Sequence, residues 1–139
     1  MDLFLAGKTA LVTGGTKGIG LAIVNAFVHE GATVAFCARN AEAVAQAETA
    51  FRDAGARVFG TALDVADPAA LRSWVDATAR ECGGIDMVVA NASALAVSDE
   101  DASWEAGFQV DLMGTVNLCR AAIPHMENST VKSLVALSS

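Results

Sequence analysis

The chain has 139 residues, enough for one domain, or part of one, on the usual scale of about 100 to 200 residues. Hydrophobic residues make up 53% and charged residues 18%, with no low-complexity tract, which excludes a disordered chain. Nine lysines and arginines against sixteen acids leave a formal net charge of −7, which repels nucleic-acid phosphates and anionic lipid, so neither is expected as a partner.

The chain begins MDLFLAGKTA, with Asp2 in place of the basic start and long apolar run of a signal peptide. No stretch approaches the ~18 apolar residues of a membrane span. A soluble, cytoplasmic protein is expected. Apolar runs bounded by turn residues predict strands at residues 9–12, 33–37, 57–61, 85–90 and 133–137. Ala-rich stretches of helical spacing predict helices at 19–30, 42–54, 69–82 and 104–126. Such alternation implies right-handed crossovers and a parallel sheet covered on both faces.

Punctuation supports this division. Gly31 and Gly55 follow helical runs, where a left-handed closing residue suits glycine. Asp67 and Pro68 read as a cap and first-turn proline, and Ser103 as a cap before Trp104. Gly107, inside the last helix, costs about 1 kcal/mol relative to alanine and suggests a close packing contact. Trp74 and Trp104 lie on helices, where large rings pack against core or a partner subunit. Cys37, Cys82 and Cys119 lack metal-ligand spacing and read as free structural thiols; His29 and His125 match no such spacing either, so no metal is expected.

The most informative stretch is TALVTGGTKGIG, residues 9–20, which joins the first strand to a glycine-rich turn and a helix. Such a turn aims unpaired backbone amides and the positive end of the helix dipole at an anion, and a pyrophosphate fits. Gly14 would allow the tight turn, Gly18 the close approach of backbone to phosphate, and Gly20 the packing of helix on strand. A Walker-type loop needs lysine after the last glycine, whereas Lys17 precedes Gly18, so nucleoside triphosphate hydrolysis is disfavoured.

Thr13-Gly14-x-x-x-Gly18-x-Gly20 resembles the short-chain dehydrogenase/reductase family, and three further motifs follow in order: Asp64-Val65, Asn91-Ala92 and Ser138-Ser139. The resemblance covers the whole chain. It implies an α/β fold with a Rossmann-type doubly wound parallel sheet, here incomplete after the fifth strand. It also implies an oxidoreductase passing hydride between a nicotinamide cofactor and a small carbonyl or alcohol, and a homo-oligomeric parent, dimer or tetramer. Around the cofactor it places Gly14, Thr16, Lys17, Gly18, Ile19 and Gly20 of the loop. Asp64 would meet the adenine amino group, Val65 the ring, and Asn91 with Ala92 the ribose. Turn or cap roles are the plainer readings of Asp64 and Asn91. The family usually continues Asn-Ala-Gly, where this chain has Ser93.

The end of the second strand decides between cofactors, because an acid there accepts from the ribose 2′-hydroxyl and repels a 2′-phosphate. Here the sequence is FCARN, residues 36–40, without an acid. Arg39 offers a charged fork suited to phosphate and Lys17 a second charge, so NADP(H) is favoured over NAD(H); solvated surface residues are the alternative.

By resemblance, Ser139 would hydrogen-bond the substrate carbonyl, and a downstream Tyr-x-x-x-Lys pair would supply the proton. The chain contains no tyrosine, so this stretch alone is expected to be inactive, the N-terminal part of a longer reductase whose catalytic remainder follows Ser139. A non-catalytic nucleotide-binding module is the alternative. Asp111 stands where the family usually has an asparagine whose backbone helps hold a water of the proton relay; an ordinary helix aspartate is an equal reading.

Overall fold

The computed structural model describes residues 1–138, and Ser139 lies outside the described residues. Five parallel strands, β1 (Thr9–Thr13), β2 (Thr33–Ala38), β3 (Val58–Ala62), β4 (Met87–Ala90) and β5 (Ser133–Ala136), form one sheet in the order β3-β2-β1-β4-β5. Helices α1 (Gly18–His29), α2 (Ala41–Asp53) and α3 (Pro68–Cys82) cross between the first four strands. The chain runs outward from β1 to β3, then returns to place β4 on the other side of β1. That reversal sits between β1 and β4, where open α/β sheets bind ligands beyond the strand ends.

The strands are apolar almost throughout because both faces are covered. Successive side chains point to opposite faces, and neighbouring residues therefore join different cores. Leu11, Ala35 and Val88 pack with Leu71, Trp74 and Val75 of α3. Val12, Phe36 and Val89 pack with Val24 of α1 and Val44 of α2. β5 forms one edge of the sheet, and there Leu134, Val135 and Leu137 are exposed. No helix is long and apolar enough to cross a membrane, among the described residues.

The predicted helix 104–126 departs from one continuous rod. It comprises α4 (Asp101–Gly107), a π-helical turn (Phe108–Met113), α5 (Gly114–Ala122) and a 3-10 turn (Ile123–Met126). Two poor helix formers, Gly107 and Gly114, bracket the π turn, and the Thr115 hydroxyl donates to the Asp111 carbonyl at 2.9 Å, competing with the regular ladder. The close contact expected at Gly107 is absent: a Cβ there would meet only Asp111 Oδ2, at 3.9 Å. Gly114 has that role instead, since a Cβ would lie 3.1 Å from Val65 Cγ2.

The cap expected at Ser103 belongs to Glu100, the residue before α4; Ser103 lies within the helix, with its hydroxyl 2.6 Å from that of Ser98. Trp74 is buried in the core, as expected, whereas Trp104 is 69% exposed and its indole donates to Asp99 at 3.0 Å. Asp67 does cap α3, accepting from Ala69 and Ala70, both at 3.1 Å. Gly31 and Gly55 have the left-handed backbone expected after α1 and α2.

Candidate nucleotide-binding site

At the carboxyl end of β1, the chain turns through Gly14, with φ +70°, and enters α1. The amides of Gly14 and Gly15 donate to the Cys37 carbonyl on β2 at 2.9 and 3.2 Å, closing the turn onto the neighbouring strand. Both glycines are sterically required. A Cβ on Gly14 would come within 3.0 Å of Asn91 Nδ2, and one on Gly15 within 2.7 Å of Phe36 Cβ.

Gly20 is the tightest position in the loop. A Cβ there would run into the Gly14 carbonyl oxygen and lie 2.5 Å from Asn91 Nδ2. The contact expected between helix and strand is thus a contact between helix start and the loop before it. Gly18 is the opposite case: its φ is +54° and nothing lies within 4 Å of the Cβ position. That open side lets another molecule approach the backbone.

The amino end of α1 lacks the cap that the next two helices have. Asn40 accepts from Ala43 at 2.9 Å at the start of α2, and Asp67 caps α3, whereas Lys17, before α1, makes no side-chain cap. The first-turn amides of Gly18, Ile19 and Gly20 have no partner within a helix of this geometry. Unpaired donors, an open glycine and the positive end of a twelve-residue helix form a cradle suited to phosphate oxygens.

The cradle is braced from β4. Asn91 Nδ2 donates to the carbonyls of Thr13 and Gly14, both at 3.1 Å. In return, the amides of Asn91 and Ala92 donate to the Thr13 hydroxyl at 3.0 and 3.1 Å. The motif alone gives Thr13 no role; its signal is a hydroxyl at the end of a buried strand, where a polar group requires partners. Ser93 leaves the turn intact. Its hydroxyl accepts from the Leu95 amide at 3.1 Å, and the left-handed residue is Leu95, φ 49°.

Parallel pairing brings the other residues to this end. Thr13 is paired with Cys37, so Arg39 emerges beside the glycine loop, and β3 delivers Asp64 on its far side. Arg39, Lys17, Ile19 and Asp64 are exposed, and Thr16 is half-buried. Arg39 and Lys17 make no ion pair among the described residues. Asp64 Oδ1 accepts from the Ala66 amide at 2.9 Å, the turn role that its plainer reading gave it. Val65 is buried against Gly114 rather than open to the cleft.

Asp111 is exposed on the π turn, where Oδ2 accepts from the Ala94 amide at 3.3 Å and so ties the loop after β4 to the broken helix. The Cys37 thiol lies directly under the loop and is fully buried, which pushes its pKa up to about 12 despite the Gly14 amide. It has no nucleophilic character at neutral pH. Burial also raises Cys82 and Cys119. The described residues hold no cluster suited to a metal ion. A cleft of about 370 Å³ lies at the opposite end of the strands, by Thr9 and Asp86, and one of about 520 Å³ lies between β3 and α3; neither includes the glycine loop.

The family model for short chain dehydrogenase matches residues 8–139. Isoepoxydon dehydrogenase of Penicillium expansum is 41% identical over 138 residues, covering 97% of this chain and 53% of the relative. Among solved structures, an NADPH-bound short chain oxidoreductase of Pseudomonas aeruginosa, described as containing an atypical catalytic center, superposes with TM-score 0.86. It is 34% identical, and the match covers 96% of this chain and 55% of that one. L-sorbose reductase of Gluconobacter frateurii, complexed with NADPH and L-sorbose, has TM-score 0.82, 32% identity and coverages of 91% and 50%. The chain thus spans about half the length of these relatives.

Proposed function

The chain belongs to the short-chain dehydrogenase family of oxidoreductases, and on that premise we propose that it forms the NADP(H)-binding part of a carbonyl reductase or alcohol dehydrogenase. The observation that carries this reading is the uncapped start of α1, with three free amides beside the open face of Gly18. Those amides hold the pyrophosphate. Gly14 and Gly20 keep the loop tight, and Asn91 with Thr13 fixes it against β4.

Arg39 and Lys17 give the site its preference for a 2′-phosphate. Both are exposed cations at the same end of the sheet as the glycine loop, and the chain has no acid between residues 36 and 40 to repel phosphate. Asp64 hydrogen-bonds the adenine amino group through Oδ2, which has no partner among the described residues. Val65, buried against Gly114, holds the loop after β3 on α5 and so steadies Asp64 for that contact.

When bound, the nicotinamide supplies or takes the hydride. Asp111 fixes the loop after β4 through the Ala94 amide. By family resemblance its carbonyl, which here accepts from the Thr115 hydroxyl, also helps hold a water of the proton relay. Ser139 orients the substrate oxygen. By family resemblance the proton donor is a tyrosine, which this chain does not hold, so these residues alone bind cofactor without reducing a carbonyl. The exposed row of Trp104, Phe108 and Leu112 is the face we assign to contact with a second subunit.

Titration of this chain with NADPH and NADH, followed by reduced-nicotinamide fluorescence, tests the reading. Saturable binding with tighter NADPH affinity supports it. No binding of either nucleotide by the folded chain overturns it.

A further inference from the structure

β3 is the outer strand at the second edge of the sheet, and an outer strand presents unpaired donors and acceptors on which another strand can add. In a parallel ladder, alternate residues face the neighbouring strand. The Arg57 carbonyl accepts from Val34, and the Leu63 amide donates to Ala38, so odd-numbered residues of this stretch face β2. Val58, Gly60 and Ala62 therefore direct their backbone groups outward.

Two of those groups are already bonded to side chains of α2. Arg52 donates through Nε and Nη2 to the Val58 carbonyl at 3.1 and 3.0 Å. Glu48 Oε2 accepts from the Gly60 amide, and its Oε1 lies 3.4 Å from Arg52 Nη1. The guanidinium also lies 5.8 Å from the Phe59 ring centroid, while Arg57 flanks the same ring at 5.6 Å.

Phe59 packs towards α3 and Trp74, whereas a Cβ on Gly60 would point at Val44 of α2, 2.8 Å away. Arg52 starts on the α2 face and reaches the ring on the other, so its side chain lies across the edge itself. Glycine at position 60 is what admits the carboxylate: a Cβ there would lie 3.2 Å from Glu48 Oε2 as well as against Val44 and Phe36.

We propose that Glu48 and Arg52 form a plug on the β3 edge that keeps a second copy of this chain from adding a strand there. The pair occupies the Val58 carbonyl and the Gly60 amide, two of the outward groups a new strand would need, and it places two charges where that strand would run. Its loss leaves Val58 and Gly60 seeking partners beside the apolar cleft of Phe59, Leu63 and Trp74.

The test compares the parent chain with Glu48→Ala/Arg52→Ala by sedimentation velocity over a concentration series, with circular dichroism to check folding. The double variant should self-associate about tenfold more tightly, the effect of one recovered backbone hydrogen bond per edge. Adding Ala62→Lys, a charge on an exposed position of the same edge, should return it to the parent's behaviour. The β5 edge is unchanged in all the chains compared, so its contribution cancels. If the double variant is unfolded, Arg52→Lys, which keeps charge and stem but loses the fork, takes its place. Association equal to the parent's, or association unchanged by Ala62→Lys, overturns the proposal.

Discussion

Asn91 Nδ2 lies 2.5 Å from the position that a Cβ on Gly20 would occupy. The start of α1 therefore packs directly on the Asn91 side chain at the end of β4, and no side chain larger than hydrogen fits between them. This contact holds the glycine loop at the reversal point of the sheet.

Gly20→Ala should both destabilise the chain and weaken nucleotide binding, because the added methyl meets the Gly14 carbonyl, which is backbone and cannot rotate away. A loss of about 1–3 kcal/mol is expected from overpacking, read from urea midpoints. Gly18→Ala has free space, so its cost is only the strain of a left-handed alanine, about 1–2 kcal/mol.

Asn91→Leu should cost about 1–3 kcal/mol, since it leaves the inward-facing carbonyls of Thr13 and Gly14 without their donor. Thr13→Val removes the acceptor for two amides and should cost a similar amount. The two effects should be less than additive in the double variant, because both side chains tie the same pair of strands; a double-mutant cycle measures this.

The strand and helix order was legible from apolar runs and glycine punctuation, because both faces of a parallel sheet demand nearly continuous apolar strands. The break at residues 108–113 was not: the segment has helical spacing, and only the hydroxyl of Thr115 on the Asp111 carbonyl and the flanking glycines distinguish it. Likewise, Gly14, Gly18 and Gly20 marked the loop, but Thr13 did not announce itself. Its partners are nearly eighty residues away in sequence and become neighbours only when β4 pairs with β1. Ser103 misled for a related reason. A serine preceding a tryptophan on a helical pattern looks like a cap, and nothing local shows that the helix begins two residues earlier.

Arg39→Ala should weaken NADPH binding by about ten- to a hundredfold, the range expected for one charged hydrogen bond to phosphate, and leave NADH binding unchanged. Paired fluorescence titrations read the difference. An equal loss for both nucleotides would remove Arg39 from the 2′-phosphate assignment.

Cys37 should resist thiol reagents in the folded chain, reacting only on unfolding, while the half-buried Cys82 and Cys119 are modified first. Its folded pKa is raised from 9.0 to about 12 by burial. The unfolded chain releases that proton first, so stability is full below pH 9 and declines as pH rises towards 12. Cys37→Ala should flatten this part of the pH dependence, as read from chemical denaturation across the window.

The most direct test of the phosphate cradle is a titration of the ¹⁵N-labelled chain with NADPH, followed by amide chemical shifts. The amides of Gly18, Ile19 and Gly20 should move furthest and together, with Asn91 Nδ2 following. Binding that leaves those three amides unmoved, while shifting residues elsewhere, would contradict the account.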